Sequence, residues 1–129
     1  MTSSTPKPTN VNEALVGLSY PPGEPYRVTD AKIAEFAEAT GATSPLHFER
    51  DAARAAGFRE VVAPPTFAVV VAQRAEADYI EDPEAGIDFS RVVHAEESFE
   101  HHRPIIAGDE LATTVHVEAV THRGPLTMV

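Results

Sequence analysis

The chain has no cysteine and no tryptophan. Without thiols there can be no disulfide framework, no zinc–thiolate centre and no cysteine nucleophile. Positive charge is also scarce. Ten Lys and Arg face twenty Asp and Glu, for a formal net charge of -10 and a pI near 4.9. A nucleic-acid binder usually carries a basic stripe, and an anionic membrane surface attracts clustered lysines, so both partners are excluded as general readings. Long apolar runs are absent too. The most apolar stretch, Val61 to Ala72, contains two prolines and is too short to span a bilayer. The opening MTSSTPKPTN lacks the apolar core of an export signal. These absences point to a soluble, cytoplasmic protein. An acidic chain has no general attraction for an anionic partner, which would have to meet a local basic patch. Arg27, Lys32, Arg91, His101, His102 and Arg103 are the candidates, against the plainer reading of scattered solvated charge.

What is present suits a packed domain. The 129 residues are 43% hydrophobic and 23% charged, enough for one core. A chain this small gains from oligomerisation, which buries apolar faces. Residues 1–10, rich in Ser, Thr and Pro, read as a disordered tail, and residues 11–129 as a single domain. Pro21, Pro22, Gly23 and Pro25 interrupt regular structure. Thr29 or Asp30 can then cap a helix whose Ile33, Phe36, Ala37 and Thr40 share one face, with Gly41 at its left-handed end. A short helix from Asp51 to Ala56 is closed by Gly57.

Pro64 and Pro65 sit where a helix can begin without wasting an N–H donor. From Phe67 to Tyr79 the spacing predicts a long helix, its first half apolar all round and therefore deeply buried. A strand over Phe67–Val71 is the competing reading, because adjacent valines are poor helix formers. Val92 to His102 alternates as a strand, and Leu111 to Ala119 alternates more cleanly, so the two are expected to be antiparallel neighbours. Thr127 to Val129 look like the opening of a further strand, so the sheet is expected to lack its last members. This order of elements implies an α+β fold, a sheet wrapped around a central helix.

The segment Gly41-Ala42-Thr43-Ser44-Pro45-Leu46-His47 resembles the catalytic loop of the MaoC-like (R)-specific hydratases and dehydratases, which reads G-D-x-N-P-x-H before a short Ala-rich helix. Here that helix is Asp51-Ala52-Ala53-Arg54-Ala55-Ala56. The likeness continues through Val62-Ala63-Pro64-Pro65-Thr66-Phe67, Gly86–His94 and Arg103–Leu111, and is most specific to the FAS1-like, or N-terminal, dehydratase branch. The resemblance implies a hot-dog fold and reversible dehydration of 3-hydroxyacyl to trans-2-enoyl thioesters of coenzyme A or acyl carrier protein. It implies no cofactor and no metal, and a homodimer or a heterodimer with a catalytic hot-dog subunit.

In the family, the loop's Asp and His act together, since loss of water needs a base and an acid within hydrogen-bond reach. Ala42 stands at the Asp position, Ser44 at the Asn position, and only His47 remains. The resemblance therefore implies a degenerate subunit that shapes a substrate channel. Alternatives are an active hydratase that borrows a carboxylate from Asp30, Glu49 or Asp51, a non-enzymatic acyl-thioester or lipid binder, and a thioesterase of the same fold. In the family, the start of the central helix faces the thioester carbonyl. That assigns substrate binding to Pro64, Pro65, Thr66 and Phe67, with Thr66 and Phe67 supplying the N–H donors. His101 and His102 point to opposite faces of a strand, so they cannot share a metal. His94, His102 and His116 could share a face but read as surface histidines. Ala107-Gly108-Asp109-Glu110 reads as a structural turn.

Overall fold

The computed structural model describes residues 10–129. Apart from Asn10, the expected tail at residues 1–10 lies outside them. The chain forms two compact units. One comprises Glu24–Gln73 and Glu96–Thr113. The other comprises the described residues up to Gly23, with Arg74–Ala95 and Thr114–Val129.

In the first unit, β2 (Tyr26–Arg27) pairs antiparallel with β3 (Glu110–Leu111), Tyr26 opposite Leu111. Helix α1 spans Asp30–Thr40. The Thr29 hydroxyl accepts from the Lys32 N–H at 3.2 Å, satisfying one donor that the first turn leaves open. At the other end Gly41 takes φ 74°, and the Ala42 N–H reaches back to the Ala37 carbonyl at 2.8 Å. That is the left-handed helix stop expected of a glycine. Helix α2 spans Arg50–Ala55. A single turn at Pro65–Phe67 leads into α3, Ala68–Ile80, and the division between the units falls within α3.

The core of this unit is Val28, Ile33, Val61, Ala63, Phe67 and Val71, with Tyr26, Phe36, Ile105 and Leu111 packed against it. Phe67 is its hub. Phe36 meets its ring edge-on at 5.5 Å and Tyr26 at 6.3 Å, geometries that aromatic quadrupoles favour.

In the second unit, β1 (Ser19–Tyr20) pairs antiparallel with β4 (Val115–His116). The last turns of α3 contribute Tyr79, which is buried with Ala85 and Val117 against Tyr20 and Val115. Tyr20 donates to Asp82 at 2.7 Å. Burial, then that bond to a carboxylate, hold the phenol well above its ordinary range. A hairpin follows, β5 (Thr121–Arg123) with β6 (Leu126–Met128), turned by Gly124 at φ 59° and Pro125. All six of its strand residues are exposed. Among the described residues no helix is long and apolar enough to cross a membrane.

Three expectations need correction. Val92 to His102 forms no ladder, and residues 91–98 are all exposed. Glu96, Glu97 and Glu100 leave neither face apolar, so nothing presses the segment onto a core. Leu111 to Ala119 is not one strand. Its ends pair with different partners, β3 with β2 and β4 with β1, and residues 112–114 between them carry no ladder. The two stretches are therefore not neighbours in a ladder. The first half of α3 is also less buried than its composition suggested. Phe67 and Val71 are buried, while Ala68, Val69, Val70 and Ala72 are half-buried. Helical geometry turns only one stripe toward the core, whatever the other residues are.

The turn before β3 is tied by charge. Gly108 takes φ 95°, and Asp109 receives Arg103 on both oxygens at 2.9 and 3.0 Å as well as the Ile106 N–H at 3.0 Å. Burial works to raise the Asp109 pKa. The Arg103 and Ile106 hydrogen bonds and the charges of Arg103 and Arg59 outweigh it, and hold the carboxyl below its usual value. A carboxyl depressed in the folded state stabilises above its unfolded pKa of 3.8, and that contribution is lost as pH falls. Asp109→Asn should therefore cost about 2 kcal/mol at pH 7, with the gap to wild type closing below about pH 4, read by denaturant melts. Phe67→Ala should cost about 3–5 kcal/mol in the same measurement, from lost transfer energy and the cavity left behind.

Candidate functional site

The site lies in the unit containing Glu24–Gln73, around three residues, Val61 to Ala63. Backbone groups of an extended chain point alternately to its two sides. On one side Val61 and Ala63 bond the segment Ile105–Ala107, with Ala107 N–H to Val61 carbonyl at 3.0 Å and Ala63 N–H to Ile105 carbonyl at 2.8 Å. On the other side Val62 bonds the loop. Its N–H donates to the Leu46 carbonyl at 2.9 Å, and its carbonyl accepts from His47 Nδ1 at 2.6 Å.

The loop is shaped locally. Ala42 is fixed by the helix-stop bond to Ala37. The Ser44 hydroxyl accepts from the Leu46 N–H at 3.3 Å, and Pro45 opens a single helical turn through His47. Ser44 thus caps the turn, a task within reach of its short polar side chain. His47 is half-buried, with the Phe48 ring edge-on beside it. A carbonyl can only accept, so His47 Nδ1 carries a hydrogen. In the neutral ring Nε2 is then the unprotonated nitrogen, free to accept a proton.

No carboxylate bonds the His47 ring among the described residues. Asp30 is exposed and bonds the Ala31 N–H at 2.8 Å, at the start of α1. Glu49 and Asp51 are exposed beside α2, and neither bonds His47. Ala42 offers a half-buried methyl in their place.

The chain runs from Val62 straight to the beginning of α3. Pro64 is buried, Pro65 and Thr66 are exposed, and Phe67 is buried in the core. The prolines have no N–H, and the Phe67 N–H is occupied by the Pro64 carbonyl at 2.9 Å. Of the two donors expected here, Thr66 N–H remains. Val62 thus holds His47 three residues before the turn at Pro65–Phe67, so the loop histidine and Pro64–Phe67 belong to one continuous backbone path.

His101 was placed by sequence among surface cations. Its Nε2 donates to the Pro65 carbonyl at 2.8 Å, and its ring stacks on Phe99. It flanks the opening of the central helix, which no local pattern around residue 101 signals. Lys32 lies over the Tyr26 ring and bonds the Arg27 carbonyl, and Arg103 is held by Asp109. Those two cations of the expected basic patch are therefore occupied. No cluster of His, Asp and Glu suited to a metal occurs among the described residues.

Comparison with known proteins fits this architecture. The chain is similar to the UPF0336 protein of Saccharopolyspora erythraea, 50% identical over 113 residues, covering 88% of this chain and 72% of that one. It is likewise 50% identical over 119 residues to the UPF0336 protein Lxx02810 of Leifsonia xyli, covering 92% and 80%. The structure is similar to the C-terminally truncated HadBC (3R-hydroxyacyl-ACP dehydratase) complex of Mycobacterium tuberculosis, with TM-score 0.76, 27% identity and coverage of 84% and 76%. It also matches a MaoC-like dehydratase, with TM-score 0.69, 33% identity and coverage of 87% of this chain and 34% of that one. The fold is thus the hot-dog fold, with antiparallel pairs against a long central helix. The pattern of the family described as FAS1-like, dehydratase domain region, matches residues 14–129, and the chain belongs to that family.

Proposed function

We propose that the chain is the degenerate, substrate-channel subunit of a (3R)-hydroxyacyl-thioester dehydratase, paired with a second hot-dog subunit that carries the missing Asp. The observation that carries this reading is Ala42 at the loop's Asp position, together with a His47 ring that no carboxylate hydrogen-bonds among the described residues. Dehydration moves a proton from the alpha carbon and delivers another to the departing hydroxyl. His47 Nε2 can take or give one proton. The other transfer needs a second acid or base, and no carboxylate is hydrogen-bonded to the His47 ring among the described residues to serve as one. The retained parts favour binding. Thr66 N–H sits at a helix start where a thioester oxygen would be stabilised, and Phe67 anchors that start in the core. The likeness to the HadBC complex, described as a (3R)-hydroxyacyl-ACP dehydratase, supports an acyl-thioester substrate and an assembly of more than one chain.

The isolated chain should leave crotonyl-coenzyme A unhydrated, as followed by enoyl absorbance. Co-expression with a hot-dog subunit bearing Asp in the same loop should bring turnover. Brisk hydration by the isolated chain would overturn the degenerate assignment. The ring orientation has its own readout. At about pH 9, above ordinary imidazole titration, nitrogen NMR should show His47 as the Nδ1–H tautomer. An Nε2–H signal would remove the free basic nitrogen from this account.

A further inference from the structure

Below Val61, in the same compact unit, the chain turns through a shallow cleft lined by Arg54, Gly57, Phe58, Arg59, Glu60 and Asp109. Its carboxylates are already matched by guanidinium groups outside the lining. Glu60 is bound by Arg50 at 2.8 Å, and Asp109 by Arg103 on both oxygens. The lining arginines are not matched in that way. Arg54 donates its Nε to the Arg59 carbonyl at 3.2 Å, which orients the guanidinium, and its two terminal nitrogens make no hydrogen bond among the described residues. Arg59 feels the Asp109 charge but forms no hydrogen bond through its side chain among the described residues. Asp51, three residues before Arg54 on α2, makes no ion pair with it among the described residues. In a chain of net charge -10, this cleft therefore presents two guanidinium groups in excess.

The backbone leaves room for a ligand there. Gly57 takes φ 97°, and a Cβ at Gly57 or at Gly108 would meet nothing within 4 Å. Guanidinium forks match phosphate oxygens two at a time, a geometry open to an anion where the neighbouring carboxylates are already paired.

We propose that the Arg54–Arg59 cleft is an anion subsite for a phosphate group. Its bearer is either the nucleotide end of a coenzyme A thioester or a free phosphate compound. The first identity rests on the dehydratase reading, whereas the site itself does not.

Isothermal titration of the full chain distinguishes the sources, using coenzyme A, pantetheine without phosphate, and inorganic pyrophosphate. The variants are Arg59→Gln and Arg54→Gln/Arg59→Gln. Arg59 and Arg54 are exposed and outside the core, so both variants should melt like wild type, which is checked alongside. If coenzyme A is the bearer, its affinity falls at least about tenfold in the double variant and pantetheine binding is unchanged. Arginine-dependent binding of pyrophosphate, with coenzyme A indifferent to the substitutions, supports the site with a free phosphate compound as its ligand. Affinity for both phosphate ligands unaltered by the double variant, or no binding of either, overturns the proposal. These readouts are independent of turnover. Absence of turnover on co-expression with the Asp-bearing subunit would count against the dehydratase reading and leave the anion subsite standing.

Discussion

Three residues of extended chain hold this unit together. Val61 and Ala63 turn their polar groups to the Ile105–Ala107 segment, and Val62 turns both of its own to the loop of Leu46 and His47. A buried amide or carbonyl without a partner costs about 1–3 kcal/mol, so this zipper is an obligation as much as a preference. Val61, Val62 and Ala63 are all buried, so water cannot take over these bonds. Everything placed by them follows. The loop is drawn against the extended chain, the chain is held to Ile106, and from Pro65 it turns into the central helix.

The charge distribution obeys a similar rule. An excess of ten negative charges disfavours acidic company in general, yet near the turn at Gly108 each lining carboxylate has its own arginine, Glu60 with Arg50 and Asp109 with Arg103. Asp109 is the clearest case. It gives two oxygens to Arg103 while one of them also receives the Ile106 N–H, so a single carboxylate joins a side chain to the backbone that faces Val62. Surface ion pairs contribute little on average. This one is partly sheltered and bidentate, which puts it among the stronger kind.

Local chemistry was legible in the sequence, and long-range pairing was not. The cap at Thr29, the stop at Gly41, the turn at Gly108 and the helical rod after Pro65 are each decided within a few residues, and each was visible as spacing. The strands were misjudged because alternation reports only that side chains take opposite faces. It does not say whether the backbone joins a ladder, and the charged run at Glu96–Glu100 joins none among the described residues. The loop of Pro45 and His47 could be recognised as a motif. That its histidine bonds Val62 could not, because fifteen residues separate them. His101 at Pro65 and the cleft of Arg54 and Arg59 were hidden for the same reason. Both are made by segments that the fold, and not the chain order, brings together.

The bond from His47 to Val62 also bears on how such a loop drifts over generations. The imidazole is a tether, and replacing it would leave a buried carbonyl unsatisfied. Ala42 has no comparable duty, since its backbone alone completes the helix stop. Position 42 can therefore change side chain at little structural cost, while the bond to Val62 ties position 47 to an imidazole. An imidazole at this bend is accounted for by structure alone, and the side chain five places earlier is released from that constraint.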